Sequence, residues 1–252
     1  MNKIVLITGA TSGIGEACAR LFASHNYDLI ITGRRAERLK KLEDELSTNH
    51  PIKVKSLTFD VRNNQEVINN LGSLSEDWQH IDVLINNAGL SMGLDRIDEG
   101  SVDDWDTMID TNVKGLLYVT KVISGWMVKN KSGHIINIGS IAGKENYANG
   151  NVYCASKHAV DSLNKAMRID LLHHHIKVTA IHPGAVETEF SEVRFKGDKD
   201  RAKKVYEGFT ALTGDDVADV IWYAVSLPAH VNINDLVIMP TAQANTTYLI
   251  RQ

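Results

Sequence analysis

The chain has 252 residues, 43% apolar and 23% charged, which excludes a disordered or fibrous protein and leaves room for one sizeable core. Its 27 basic and 31 acidic side chains give a net charge of −4, a poor match to a nucleic-acid polyanion. Two cysteines, Cys18 and Cys154, cannot build a disulfide framework, and no apolar run approaches the ~20 residues of a bilayer span. The expectation is a soluble, reduced, cytoplasmic protein with no nucleic-acid or membrane partner.

The first apolar run, residues 4–7, leads into Thr8-Gly9-Ala10-Thr11-Ser12-Gly13-Ile14-Gly15 and then a helical segment from about Glu16. A second run, 29–31, ends in Gly33-Arg34-Arg35 and precedes an amphipathic helix with Leu39, Leu42 and Leu46 on one stripe. The third run, 54–59, ends at Asp60-Val61, and the fourth, 83–85, at Asn86-Asn87-Ala88-Gly89. Ser101 and Asp104 have capping-box spacing ahead of a helix whose apolar stripe runs from Trp105 to Leu117, with Asn112 as its one polar member. The fifth run, 135–138, precedes Ser140, and a helix is expected from about Val152 to His173. Run 178–181 is the sixth. Residues 189–212 are charged and read as an exposed insertion able to act as a lid, and run 236–239 is the last. Runs apolar on successive residues suit strands buried on both faces. Strand–helix alternation without a break in composition predicts an α/β fold. Residues 1–252 then form one doubly wound domain, a seven-stranded parallel sheet with helices on both faces.

Three groups of residues carry chemistry. Glycines between the first strand and first helix allow a tight turn, and backbone N–H groups there can approach a pyrophosphate at a helix N-terminus. An NAD site usually carries an acid about 20 residues past that loop, on the ribose. Arg34 and Arg35 stand there instead and would attract a 2′-phosphate, which favours NADP. Tyr153 and Lys157 are four apart and share a helix face. An ammonium near the phenol favours the phenolate, so Tyr153 can exchange a proton with an alcohol or carbonyl. Ser140 can orient the substrate oxygen, and Asn112 on an apolar stripe needs buried partners. Consecutive His173, His174 and His175 point in different directions and read as a helix end; no metal site is expected.

Taken together, the glycine pattern at residues 8–15, Asn86-Asn87-Ala88-Gly89, Ser140 and Tyr-x-x-x-Lys resemble the short-chain dehydrogenase/reductase family over essentially the whole chain. The segments Thr32–Arg35, 189–198 and 227–234 are similar to its NADP-dependent 3-hydroxy acid dehydrogenases, a group that includes serine and allo-threonine dehydrogenases. The resemblance implies a Rossmann-type fold and catalysis by Asn112, Ser140, Tyr153 and Lys157. It implies NADP contacts at Gly9, Ala10, Thr11, Ser12, Gly13, Ile14, Arg34, Arg35, Asp60, Val61, Asn87, Tyr153, Lys157, Pro183, Val186 and Thr188. Lys157 would bond the nicotinamide ribose, and Asn112 would hold a water linking Lys157 to solvent. A homotetramer would assemble through the two long helices and the C-terminal strand region. The substrate would be a 3-hydroxy acid, or its semialdehyde or 3-keto counterpart, held by Ser140 and Arg194. A reductase of neutral ketones or aldehydes, and a non-catalytic NADP binder, stay open as alternatives. One departure stands out: the loop 183–190 is a residue shorter than in these relatives, and Glu187 is expected to bring a negative charge beside the pyrophosphate.

Overall fold

Strand β1 (Ile4–Thr8) is buried along its whole length because helices cover both faces of the sheet around it. In the computed structural model, which describes residues 2–252, it pairs in parallel with β2 (Asp28–Gly33) on one side and β4 (Ile81–Asn86) on the other. The strands β3 (Val54–Thr58), β5 (Gly133–Ile138), β6 (Ile176–Pro183) and β7 (Asp235–Ile238) complete a seven-stranded sheet, all parallel, in the order β3-β2-β1-β4-β5-β6-β7. The order reverses between β1 and β4. A crevice therefore opens at the carboxyl ends of those two strands, where ligands bind in such sheets.

One face is covered by α1 (Gly13–Ser24), α2 (Ala36–Asn49) and α9 (Gly214–Ser226). Phe22, Leu39, Leu42, Leu46, Val217 and Ile221 pack there against Val5, Ile7 and Ile31. The other carries α3 (Asn64–Gly72), α5 (Leu116–Asn130) and α6 (Asn151–Asp170), with Val67, Ile123, Met127 and Val160 against Leu6, Leu84 and Ile135. Each buried aliphatic side chain contributes ~1.5–3 kcal/mol relative to exposure, and the two clusters hold the strand ends in register.

All seven apolar runs form strands, but the two edge strands differ from the expectation of burial on both faces. In β3 only Leu57 is buried while Lys55 and Thr58 face solvent, and in β7 Val237 is exposed. An edge strand has one neighbour and incomplete helix cover, so alternation replaces a continuous run. Ser101 caps α4 (Val102–Ile109) by accepting from the Asp104 backbone, without the reciprocal half of a capping box. Asp104 pairs instead with Lys196, and the complete box is Thr213–Asp216 at the start of α9. Helix α6 stops at Asp170, and Leu172–His174 form a separate tight turn.

Candidate active site

The crevice is a cleft of about 310 Å³, lined at one end by the glycine turn and Arg34, and at the other by Ser140, Tyr153, Lys157 and Phe190. Gly9 and Gly13 hold φ of +68° and +55°, which side chains disfavour. A Cβ on Gly9 would lie 3.0 Å from the Ala88 backbone. Ser12, at the head of α1, makes no cap bond and accepts from Arg35 instead, so the first N–H groups of α1 keep their donors for an anion. Asn87 ties the turn to β4 by donating to the carbonyls of Thr8 and Gly9 at 2.9 and 3.1 Å. Among the sequence-assigned cofactor residues, Gly9, Thr11, Ser12, Gly13, Ile14, Arg34, Arg35, Asp60, Val61, Asn87, Tyr153, Lys157, Pro183, Val186 and Thr188 all line the cleft. Ala10 is fully buried and does not. The glycine turn, the uncapped helix and the arginines fit a dinucleotide carrying an extra phosphate.

At the other end of the cleft, α6 sets Tyr153 and Lys157 one turn apart, both buried. Lys157 Nζ donates to the Ile138 carbonyl at 2.9 Å, and burial lowers its pKa to about 8. Burial pushes the Tyr153 phenol up to about 12; Arg194 acts against that, as does a hydrogen bond with Ser140. The cation that acts most on the Tyr153 phenol in this arrangement is Arg194, where the sequence pointed to Lys157; Lys157 gives one of its three donors to the Ile138 carbonyl. Ser140 caps the short turn Ile141–Gly143, its Oγ accepting from Ala142 N at 3.1 Å. Behind it, His182 Nδ1 lies 3.2 Å from the Ser140 carbonyl oxygen and Nε2 lies 2.8 Å from Asp235. Lys144 bridges Asp161 and Asp235 at 2.6 and 2.9 Å, so the acids beside His182 already hold a cation belonging to the chain.

Asn112 sits in a π-turn, Asp110–Gly115, between α4 and α5. Its Oδ1 accepts from Leu90 N at 2.9 Å, and its Nδ2 donates to Leu90 O and Ser156 Oγ at 2.8 and 3.0 Å. The wider turn accommodates a buried amide within an apolar helix, as π-bulges often do at functional sites. A Cβ on Gly89 would lie 3.3 Å from Asn112 Oδ1 and 3.5 Å from Lys157 Nζ, so the missing side chain keeps the space between them open.

The charged insertion folds onto the cleft. Its short helices are α7 (Phe190–Arg194) and α8 (Lys199–Lys204). Phe190 lies 5.6 Å from the Tyr153 ring. The Arg194 guanidinium is 5.1 Å from the Tyr153 and Phe190 rings and 5.9 Å from Tyr147. Its Nε donates to Ser91 Oγ at 3.0 Å and one terminal nitrogen to the Tyr147 hydroxyl at 2.7 Å. Lys196 turns away to Asp104 at 2.9 Å. Glu187 is exposed, is held by a backbone bond to Leu212 O, and does not line the cleft. The acid beside the arginines is Glu189, 2.6 Å from both Arg35 and Arg38. Sequence reasoning missed Glu189 and Arg38. Arg38 stands three residues after Arg35 at the start of α2, a spacing that puts both on one helix face and could have revealed it.

A family model described as short chain dehydrogenase matches residues 3–199. The chain belongs to the short-chain dehydrogenase family. It is therefore an oxidoreductase by membership. It is 50% identical over 242 residues to the NADP-dependent 3-hydroxy acid dehydrogenase YdfG of Salmonella typhi, covering 96% of each protein. It is 42% identical over 251 residues to sulfoacetaldehyde reductase 2 of Chromohalobacter salexigens, covering 99% of each. Among solved structures, the closed form of a serine dehydrogenase complexed with NADP+ superposes with a TM-score of 0.92 at 47% identity, covering 99% of each chain. The match extends over residues 189–212 as well as the sheet.

Proposed function

We propose that this family member transfers hydride between NADP(H) and the hydroxyl-bearing carbon of a small anionic substrate, a 3-hydroxy acid such as serine, allo-threonine or 3-hydroxypropionate, or the matching semialdehyde or 3-keto acid. The observation that carries this reading is the Arg194 guanidinium 5.1 Å from the Tyr153 ring, a cation beside the group that would move the proton. A carboxylate taken out of water costs several kcal/mol unless a partner offsets it, and Arg194 supplies the partner. The relatives' names point the same way, since 3-hydroxy acids and sulfoacetaldehyde are both small anions.

The nicotinamide, when bound, supplies or accepts the hydride. Tyr153 donates the proton to the carbonyl oxygen in reduction and takes it from the alcohol in oxidation. With its pKa pushed up to about 12, the phenol holds its proton throughout the neutral range, which suits reduction. Oxidation then gains speed as pH rises into the alkaline range. Ser140 holds the substrate oxygen toward Tyr153. Lys157 would hold the nicotinamide ribose with its remaining donors and relay protons toward the space beside Gly89 and Asn112. Arg34 and Arg35 would hold the 2′-phosphate and the α1 N-terminus the pyrophosphate, and Asp60, Val61 and residues 183–188 line the cleft that would receive the rest of the dinucleotide. The exposed side chains Leu117, Ile169, Leu172 and Val237, on or beside α5, α6 and β7, support a homotetramer built through those elements. No described helix is long and apolar enough to cross a membrane. The two cysteines are buried and free, which supports a reducing, cytoplasmic setting.

A substrate panel tests the reading: purified protein with NADPH or NADH, and with carboxylate, sulfonate and neutral carbonyls matched in size. Preference for NADPH with a carboxylate substrate is expected; faster turnover of neutral carbonyls would favour the alternative reductase.

A further inference from the structure

The arginine cluster at the adenosine end of the cleft contains its own anion. Arg35 spends most of its fork on the protein: Nε and one terminal nitrogen on Thr11 Oγ1 at 3.0 and 2.7 Å, that nitrogen also on Ser12 Oγ at 2.8 Å, and the other on Glu189 Oε2 at 2.6 Å. Arg38 gives a terminal nitrogen to Glu189 Oε1 at 2.6 Å. Glu189 thus bridges two guanidiniums with its two oxygens, the geometry of one face of a phosphate. Burial raises its pKa, but the two arginines outweigh that and keep it ionised. Arg34 differs: its side chain is 58% exposed, and its nearest acid, Asp60, lies at 4.0 Å.

We propose that Arg38 is a third arginine of the 2′-phosphate site and that Glu189 is the resident anion of that site, which the phosphate of NADP must displace from Arg35 and Arg38. This rests on the NADP reading above and adds two residues to it. A phosphate arriving at Arg34 meets Arg35 with one terminal nitrogen already on the Glu189 carboxylate, whose negative charge opposes its own. Displacement restores a cation pair for the phosphate and frees Glu189. Glu189 directly precedes α7, which carries Phe190 and Arg194 to Tyr153, so the exchange reaches the segment over the catalytic end. A dinucleotide without the extra phosphate leaves the Glu189 bridge in place. Cofactor selectivity in this chain is then the attraction of the arginines for the extra phosphate less the cost of displacing Glu189, a cost that a dinucleotide without that phosphate does not meet.

Calorimetric titration of the full-length protein with NADP+, NAD+ and 2′-AMP, without substrate, reads this directly. Glu189→Gln keeps the shape and removes the charge; it should tighten NADP+ and 2′-AMP by ~10-fold and leave NAD+ unchanged. Arg38→Ala should weaken NADP+ and 2′-AMP by ~10-fold, again sparing NAD+. In the double variant the two effects should fail to add, because removing the acid relieves the arginine that remains. The gain in Glu189→Gln should shrink at high salt. Selective weakening of NADP+ by Glu189→Gln would overturn the proposal, since the acid would then be ordering the arginines rather than competing. Equal changes for NADP+ and NAD+ would also overturn it, as would no change. A wild-type protein that binds NAD+ as tightly as NADP+ would instead refute the cofactor reading, whatever the variants do.

Discussion

Replacing Arg194 with alanine should separate two roles of one guanidinium. Arg194 donates through Nε to Ser91 and through one terminal nitrogen to Tyr147, while its other terminal nitrogen has no partner among the described residues. That nitrogen is what a substrate carboxylate would meet. One hydrogen bond to a charged group is worth ~1.5–3 kcal/mol, so the Michaelis constant for an anionic substrate should rise by ~10–100-fold. An uncharged alcohol of similar size should keep its Michaelis constant. The second role is electrostatic: Arg194 holds the Tyr153 pKa down against burial, so its removal should raise that pKa further. Oxidation needs the phenolate, and at a fixed pH below the phenol's pKa each unit of increase leaves tenfold less of it. The alkaline rise of the oxidation profile should therefore move to higher pH for every substrate, charged or not. Steady-state kinetics from neutral to strongly alkaline pH, with 3-hydroxypropionate against a neutral alcohol, measures both effects. Equal losses of Michaelis constant for the two substrates would refute the carboxylate role. An unmoved pH profile would refute the electrostatic one.

Asn112→Ala should cut turnover in both directions and lower stability by about 1–3 kcal/mol, because it leaves the Leu90 N–H and carbonyl without their buried partner, while the Ser156 hydroxyl loses one donor and keeps its bond to the Tyr153 carbonyl; denaturant unfolding with parallel kinetics checks this. Asp161 should contribute an acid-sensitive share of stability. Burial raises its pKa but Lys144 and Lys165 outweigh that and lower it, so the contribution is present above the unfolded carboxylate pKa and is lost as pH falls through the folded value. Thermal melts should show Asp161→Asn less stable than wild type at neutral pH, with the difference closing in acid.

The central sheet was legible because β1, β4, β5 and β6 lie between two helix layers and must be apolar on consecutive residues. Edge strand β3 was legible from the apolar positions of the run 54–59, although within the strand only Leu57 is buried. Tyr153 and Lys157 were legible as a pair four residues apart, and Ser140 and Asn112 through the family resemblance; the fold brings Ser140, Tyr153 and Lys157 to one cleft. Their electrostatics were not legible, since the burial that raises the phenol and the position of Arg194, 41 residues later in the chain, exist only in the folded protein. The π-turn that seats Asn112 has no composition signal, because its residues keep an ordinary helical pattern. Glu187 and Glu189 differ by two positions on an irregular loop, and without a periodic backbone nothing in the sequence says which one faces the arginines. The Ser101–Asp104 spacing pointed to a reciprocal cap, but Asp104 is drawn to Lys196 of the charged segment after α7, a tertiary contact overriding a local one.

Reduction of a 3-carbon semialdehyde or 3-keto acid by NADPH, followed by nicotinamide absorbance in wild-type and Tyr153→Phe proteins, tests the assignment of proton and hydride transfer most directly when NADP+ affinity is titrated on the same samples. Wild-type turnover, a loss of ~10²–10⁴-fold in the variant and an unchanged NADP+ affinity are the predicted results. Near-wild-type turnover by Tyr153→Phe, or no turnover of any carbonyl by the wild type despite tight NADPH binding, would contradict the account.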